Sequence, residues 1–189
     1  MNVISKKYNF LKPSICKKLK RIGRNQDGGY VVNSDSIFNN KILVSLGLGL
    51  DWSFELDYLK LNKPGKVYIF DNSISFFTFF LPFLKCLKRF LTLRKNFKDI
   101  KYRTIDMLEY ISFISKKNFF FSKKTIGLNL NKKEISLNSI LGNIENEKKL
   151  ILKIDIEGTE YDLIEEILEN SKKLDLLIIE FHNTDEYDT

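Results

Sequence analysis

The stretch Leu150-Ile151-Leu152-Lys153-Ile154-Asp155-Ile156-Glu157-Gly158-Thr159-Glu160 decides the fold. Its first five residues form an almost unbroken apolar run, the pattern of a strand covered on both faces. The run stops at Asp155, and Gly158 opens a turn. Over 160–170 the period changes to that of a helix, with Tyr161, Leu163, Ile164, Ile167 and Leu168 on one side. Alternate side chains of an extended chain point the same way, so Asp155 and Glu157 share a side. Carboxylates at a strand end can hold a cationic cofactor, orient an acceptor hydroxyl or bind a metal. The structural alternative is capping of the following helix by Thr159 or Glu157, which accounts poorly for Asp155.

The same alternation extends in both directions. Upstream, 41–46 reads as a strand ended by Gly47. Residues 53–61 read as a helix with Phe54, Tyr58 and Leu61 on one side, broken by Pro64-Gly65. Residues 67–70 read as a second strand, ending at Asp71. The pattern predicts a third strand at 100–105, a helix at 106–115, edge strands within 116–131 and a turn or short helix at 135–141. Downstream, 174–181 reads as a strand ending at His182. Near the start, 13–22 reads as a short helix closed by Gly23, and Asp27-Gly28-Gly29-Tyr30-Val31-Val32 as a tight turn entering a strand. Strands alternating with helices predict an open α/β sheet of mostly parallel strands with helices on both faces. Ligands of such sheets bind at the carboxyl ends of the strands. That rule selects Gly47, Asp71, Asp106, Asp155 and His182.

The 189 residues fit one domain, an N-terminal helix and turn over 1–40 and a Rossmann-like core over 41–189. A hydrophobic fraction of 43% is enough for a core and excludes wholesale disorder. Two cysteines exclude a disulfide-stapled secreted fold. No long apolar run follows the first residues, so a cytoplasmic chain is expected. One histidine excludes zinc sites built on two or three of them. The net charge of +7 is unevenly placed: eight basic and one acidic residue over 85–103, but twelve acidic and two basic over 155–189. The basic segments are either solvated surface or a face for an anionic partner, such as a membrane or a phosphorylated acceptor. No nucleic-acid-reading motif accompanies them, so nucleic acid is not the expected partner.

The first strand runs into Ser45-Leu46-Gly47-Leu48-Gly49-Leu50-Asp51-Trp52. Glycines there let backbone approach a ligand closely, and Asp71 follows at the distance where a carboxylate takes a ribose diol. A dinucleotide fingerprint wants a third glycine where Trp52 stands, and Asp51 would repel a pyrophosphate near the helix start. A ligand with a ribose and an ammonium group but no phosphate suits the loop better, and S-adenosylmethionine is one. His182, at the edge expected to hold the ligand, suits a general base.

Taken together, these stretches resemble FkbM-type methyltransferases and related methyltransferase-like domains. The matching segments are Arg21-Ile22-Gly23-Arg24 with Asp27-Gly28-Gly29-Tyr30, Ser45-Leu46-Gly47-Leu48-Gly49 with Trp52-Ser53-Phe54-Glu55, Phe70-Asp71, Lys153-Ile154-Asp155-Ile156-Glu157-Gly158, and Ile179-Glu180-Phe181-His182. The resemblance implies a class I methyltransferase fold and S-adenosyl-L-methionine as cofactor. It implies methyl transfer, usually to a hydroxyl of a sugar or of another small or glycosylated acceptor. Ser45, Gly47, Gly49, Asp51, Asp71 and Asp106 are the expected cofactor residues, and Asp155, Glu157 and His182 the expected catalytic ones. Asn138 stands where the family often has an aspartate, and the last antiparallel strands of the methyltransferase sheet are expected to be missing. A metal held by Asp155, Glu157 and His182 is the alternative use of those residues; in-line methyl transfer needs no Lewis acid, and none is assigned. The rival readings are a methyltransferase-like domain without activity and a nicotinamide-dependent Rossmann oxidoreductase.

The segment 76–98 carries Phe76-Phe77-Thr78-Phe79-Phe80 and then Lys85, Lys88, Arg89, Arg94 and Lys95. It is too short to span a bilayer. It reads as the crossover helix after the second strand, or as a basic amphipathic segment resting on a membrane.

Overall fold

The computed structural model describes residues 18–25, 28–92, 96–127, 133–144 and 149–184. In chain order the elements are β1 (Leu19–Ile22), β2 (Tyr30–Asn33), α1 (Ser34–Asn39), β3 (Ile42–Leu46), α2 (Ser53–Leu61), β4 (Lys66–Phe70), α3 (Phe76–Leu91) and α4 (Phe97–Ile114). They continue with β5 (Phe119–Ser122), β6 (Thr125–Ile126), β7 (Glu134–Ile135), α5 (Leu137–Asn143), β8 (Leu150–Ile154), α6 (Ile164–Glu169) and β9 (Leu174–Ile179). Five strands form one parallel sheet in the order β5-β4-β3-β8-β9. After β3 the chain builds outward on one side, and after β8 on the other. The two central strands therefore flank the point where the winding reverses, which is the ligand crevice of an open α/β sheet.

The period-two alternation of the central strands explains both layers. Leu43 of β3, Val67 and Ile69 of β4 and Ile151 of β8 face Phe54 and Tyr58 of α2 and Tyr110 and Phe113 of α4. Val44, Leu46, Leu150, Leu152 and Ile154 face Leu137, Ile140 and Leu141 of α5 and Leu163 and Ile167 around α6. Trp52 fills the first layer. It stacks on Phe113 with centroids 5.2 Å apart, and Phe79 stacks on Tyr110 at 4.6 Å. This aromatic cluster docks the α3–α4 hairpin onto the sheet.

Several expectations are corrected. Residues 19–22 are a strand, paired antiparallel with β2, rather than the end of a helix; residues 13–17 of that predicted helix, Cys16 among them, lie outside the described residues, as does Asp27. The predicted strand at 100–105 belongs to α4. Residues 100–103 alternate apolar and polar side chains and mimic a strand, but Ile100, Thr104, Met107, Tyr110 and Phe113 carry the longer helical period. The third strand is instead β5, from the segment expected to hold edge strands. The helix expected over 160–170 begins as a 3-10 turn and becomes α-helical at Ile164. The helix α3 confirms a crossover element; it exposes Phe77, Leu81, Leu84 and Leu91 beside Lys85, Lys88 and Arg89, while Arg94 and Lys95 lie outside the described residues. Among the described residues, no helix is long and apolar enough to cross a membrane.

One charge is built into the first layer. Lys153, 1% exposed, directs its ammonium to Glu55 Oε1 at 3.4 Å and donates to the Gly47 carbonyl at 3.3 Å. Glu55 is fully buried and also accepts from Ser45 Oγ at 2.7 Å. Removing one member of a buried pair leaves the other charge uncompensated. Lys153→Met should therefore cost about 3–5 kcal/mol of stability. The double variant Lys153→Met with Glu55→Gln should recover most of that loss, and denaturant unfolding of the two proteins measures the difference.

Candidate functional site

The ladder continues past the strand ends and brings three loops together. Asp155 N donates to Leu46 O at 2.9 Å, Gly47 N to Phe70 O at 3.0 Å and Glu180 N to Ile154 O at 3.0 Å. Gly47 has φ +75°, and a Cβ there would lie 1.7 Å from the Asp155 carbonyl oxygen. A side chain here would run into the neighbouring loop of the same sheet, and Gly47 also borders a cleft. Gly49 differs: a Cβ there would meet nothing within 4 Å, so it borders open space.

Asp71 closes the same loop. Its Oδ2 accepts from Leu48 N at 2.8 Å and Gly49 N at 3.1 Å, and its Oδ1 from Ser73 N, Ser73 Oγ and Ile74 N. Five donors of the chain already occupy the roughly four lone-pair sites of a carboxylate. The anticipated ribose contact is thus taken up by the loop itself. Burial works to raise the Asp71 pKa, but the bonds from Ser73, Leu48 and Gly49 outweigh it and hold the group below its usual value.

On the other side of Asp155 lies a cluster sequence reading only partly anticipated. The Tyr30 hydroxyl lies 3.0 Å from Asp155 Oδ2 and 2.9 Å from Glu180 Oε2. Burial first, then the Asp155 charge and the bond to Glu180, push this phenol far up. Tyr30 is the first residue of β2, and the described residues on either side of the β1–β2 connection are held close together. Arg21 Nη1 donates to the carbonyls of Arg24 and Gly29, and a Cβ on Gly29 would collide with the Arg24 oxygen at 1.8 Å. His182 places Nδ1 3.2 Å from Glu160 Oε1, which also accepts from His182 N at 2.6 Å. Burial would raise the Glu160 pKa, but these bonds from His182 hold it low. The other histidine nitrogen, Nε2, faces Asp155 Oδ1 at 3.8 Å and Glu180 Oε1 at 4.0 Å.

Two clefts meet at this edge. One, of about 300 Å³, is lined by Gly47, Gly49, Asp71, Thr125, Ile156 and Thr159. The other, of about 550 Å³, is lined by Arg24, Leu48, Asp51, Glu180 and His182. Gly49, Asp155 and Glu157 line both and form the wall between them.

The remaining expected residues sort as follows. Glu157 is exposed on the rim. Ser45 is buried and serves Glu55 rather than a cleft. Asp51 accepts from Ser53 N at 2.8 Å, capping α2, and lies 3.5 Å from Arg24 Nε. Asp106 is corrected: it lies in α4, next to Arg103 at 3.5 Å, in a separate cleft with Lys85 and Arg89. Its assignment failed with the strand it was thought to end. Asn138 ties α5 to α6 through Glu169 Oε2 at 3.0 Å. Sequence reasoning assigned no role in the site to Glu160, Glu180 or Lys153. The signal was there in two cases, a lysine inside Leu150-Ile151-Leu152-Lys153-Ile154 and a glutamate inside Ile178-Ile179-Glu180-Phe181. No family model matches the chain, and no match to a curated protein or a solved structure is found.

Asp71→Asn should cost about 1–3 kcal/mol, because an amide nitrogen then faces buried N–H donors. A carboxyl held below its usual 3.8 contributes fully above that value and loses its contribution as pH falls through the folded-state pKa. The gap between wild type and Asp71→Asn should therefore be full near neutrality and shrink in acid, as unfolding curves at several pH values would reveal. Tyr30→Phe should cost about 1.5–3 kcal/mol, the range for bonds to charged groups, again measured by denaturant unfolding.

Proposed function

We propose that the chain transfers a methyl group from S-adenosylmethionine to a hydroxyl of a sugar or other small or glycosylated acceptor, the activity implied by its resemblance to FkbM-type methyltransferases. The observation that carries this reading is the pair of clefts meeting at one carboxylate wall at the winding reversal of the sheet. A group transfer needs two ligands held in contact, and much of its rate comes from that positioning. The smaller cleft takes the cofactor, and Asp155 and Glu157 fit a cationic centre at the shared wall. The larger takes the acceptor, with its hydroxyl at Asp155, Glu180 and His182.

The cofactor, when bound, supplies an electrophilic methyl group on a sulfonium. Asp155, Glu180 and His182 would orient the acceptor hydroxyl and take up its proton as the methyl leaves the sulfur, which would keep the electron pair. Asp71 shapes the loop beneath the cofactor, and Glu160 holds His182 in one orientation.

The start of α2 argues against a nicotinamide dinucleotide. The N–H of Ser53, the first of the helix, already donates to the Asp51 carboxylate at 2.8 Å. A pyrophosphate there would meet negative charge instead of bare N–H groups. Calorimetric titration with S-adenosylmethionine should show one saturating site and titration with NAD none; the opposite pattern overturns the proposal. Glu157→Lys, on an exposed rim position, should weaken S-adenosylmethionine by about tenfold, or about 1.4 kcal/mol, without unfolding the protein. Binding of neither compound likewise overturns the proposal.

A further inference from the structure

We infer that Asp155, Glu180 and His182 form a binding site for a divalent metal ion in the larger cleft. One ligand atom from each can be chosen so that all lie within 4.8 Å of one another. The separations of His182 Nε2 from Asp155 Oδ1 and Glu180 Oε1, 3.8 and 4.0 Å, are too long for hydrogen bonds. They suit two atoms bound to one ion, since bonds of about 2.0–2.4 Å bridge ligand atoms up to roughly 4–4.8 Å apart.

The surroundings orient each ligand. Glu160, fully buried, sits against His182 Nδ1, so the proton belongs on that nitrogen and the lone pair on Nε2 faces the two carboxylates. A carboxylate behind a histidine is the usual support of a metal-binding imidazole. The second oxygen of Glu160 is buried with no hydrogen-bond partner among the described residues, so the carboxylate's interactions run through His182. In front, the Tyr30 hydroxyl engages Asp155 Oδ2 and Glu180 Oε2. It thereby leaves Oδ1 and Oε1 for the ion.

Charge balance points the same way. Asp155 and Glu180 are drawn together on one hydroxyl, while the Lys153 ammonium lies on the far side, 3.8 Å from Asp155 Oδ2, and is shared with Glu55. Two carboxylates and one imidazole suit manganese, magnesium or ferrous iron better than a soft-ligand metal. Three protein ligands leave positions open toward the cleft, where waters or acceptor oxygens complete the shell. The role of the ion rests on the proposed methyl transfer: it would polarise the acceptor hydroxyl and replace His182 as the means of activating it. The binding itself does not depend on that reading.

The test is titration of the full chain with manganese chloride in the absence of any cofactor, with free Mn²⁺ read by electron paramagnetic resonance. Wild type should show one saturable site. His182→Ala and Glu180→Gln should each lose about tenfold or more in affinity, while Asp106→Asn, outside the cluster, binds as wild type. Glu180 is partly exposed and Glu180→Gln preserves its shape, so this variant decides the matter should His182→Ala fail to fold, as circular dichroism would show. Absence of saturable binding, or equal binding by wild type and Glu180→Gln, overturns the site. Manganese binding without S-adenosylmethionine binding would sink the methyl-transfer reading and leave the metal site standing.

Discussion

The buried ammonium of Lys153 is held by Glu55 of α2, by the Gly47 carbonyl of the β3 loop and by the nearby Asp155 carboxylate. A lone charge at that depth would be prohibitive, so the surrounding groups have little freedom in where they sit. Glu55 fixes the first turn of α2 over β3, and Gly47 brings the first loop against the second. The Tyr30 ring lies 5.5 Å from the ammonium, close enough for its negative face to contribute. The core of the first layer and the upper wall of the site are thus one electrostatic unit. It is the reason a lysine interrupts an otherwise apolar strand.

The sheet was legible because its central strands are buried on both faces. Runs such as 41–46 and 150–154 admit few other interpretations, and the positions just beyond them follow from chain geometry. Residues 100–105 were misread because a short window of alternating residues does not separate a strand from one face of a long helix; the deciding partners, Trp52 and Phe79, are far away in sequence. Residues 19–22 became a strand through pairing with β2, a contact no local propensity encodes.

The site was legible in its backbone and less so in its side chains. Gly47, Asp71, Asp155 and His182 stand at the edge where strand ends predict them. Their partners do not follow from spacing. Tyr30 arrives from 125 residues away to meet Asp155, and Glu160, which looks like a helix-start residue, turns inward to His182. Glu180 sits at the end of an apolar strand run, two residues before His182, where spacing alone does not single it out. Asp71 shows the reverse case: its place was foreseen, but whether a carboxylate serves a ligand or its own loop depends on which donors reach it first.

The five donors around Asp71 have a consequence for how any ligand is received. The amides of Leu48 and Gly49 are already committed, so the loop has its shape before a ligand arrives. Ordering of that segment belongs to folding and is not repeated at association. The amide protons of those two residues should accordingly exchange with solvent slowly for a loop. Ligands of different shape would then be discriminated by rejection at a stiff surface rather than by a loop that moulds itself to each of them.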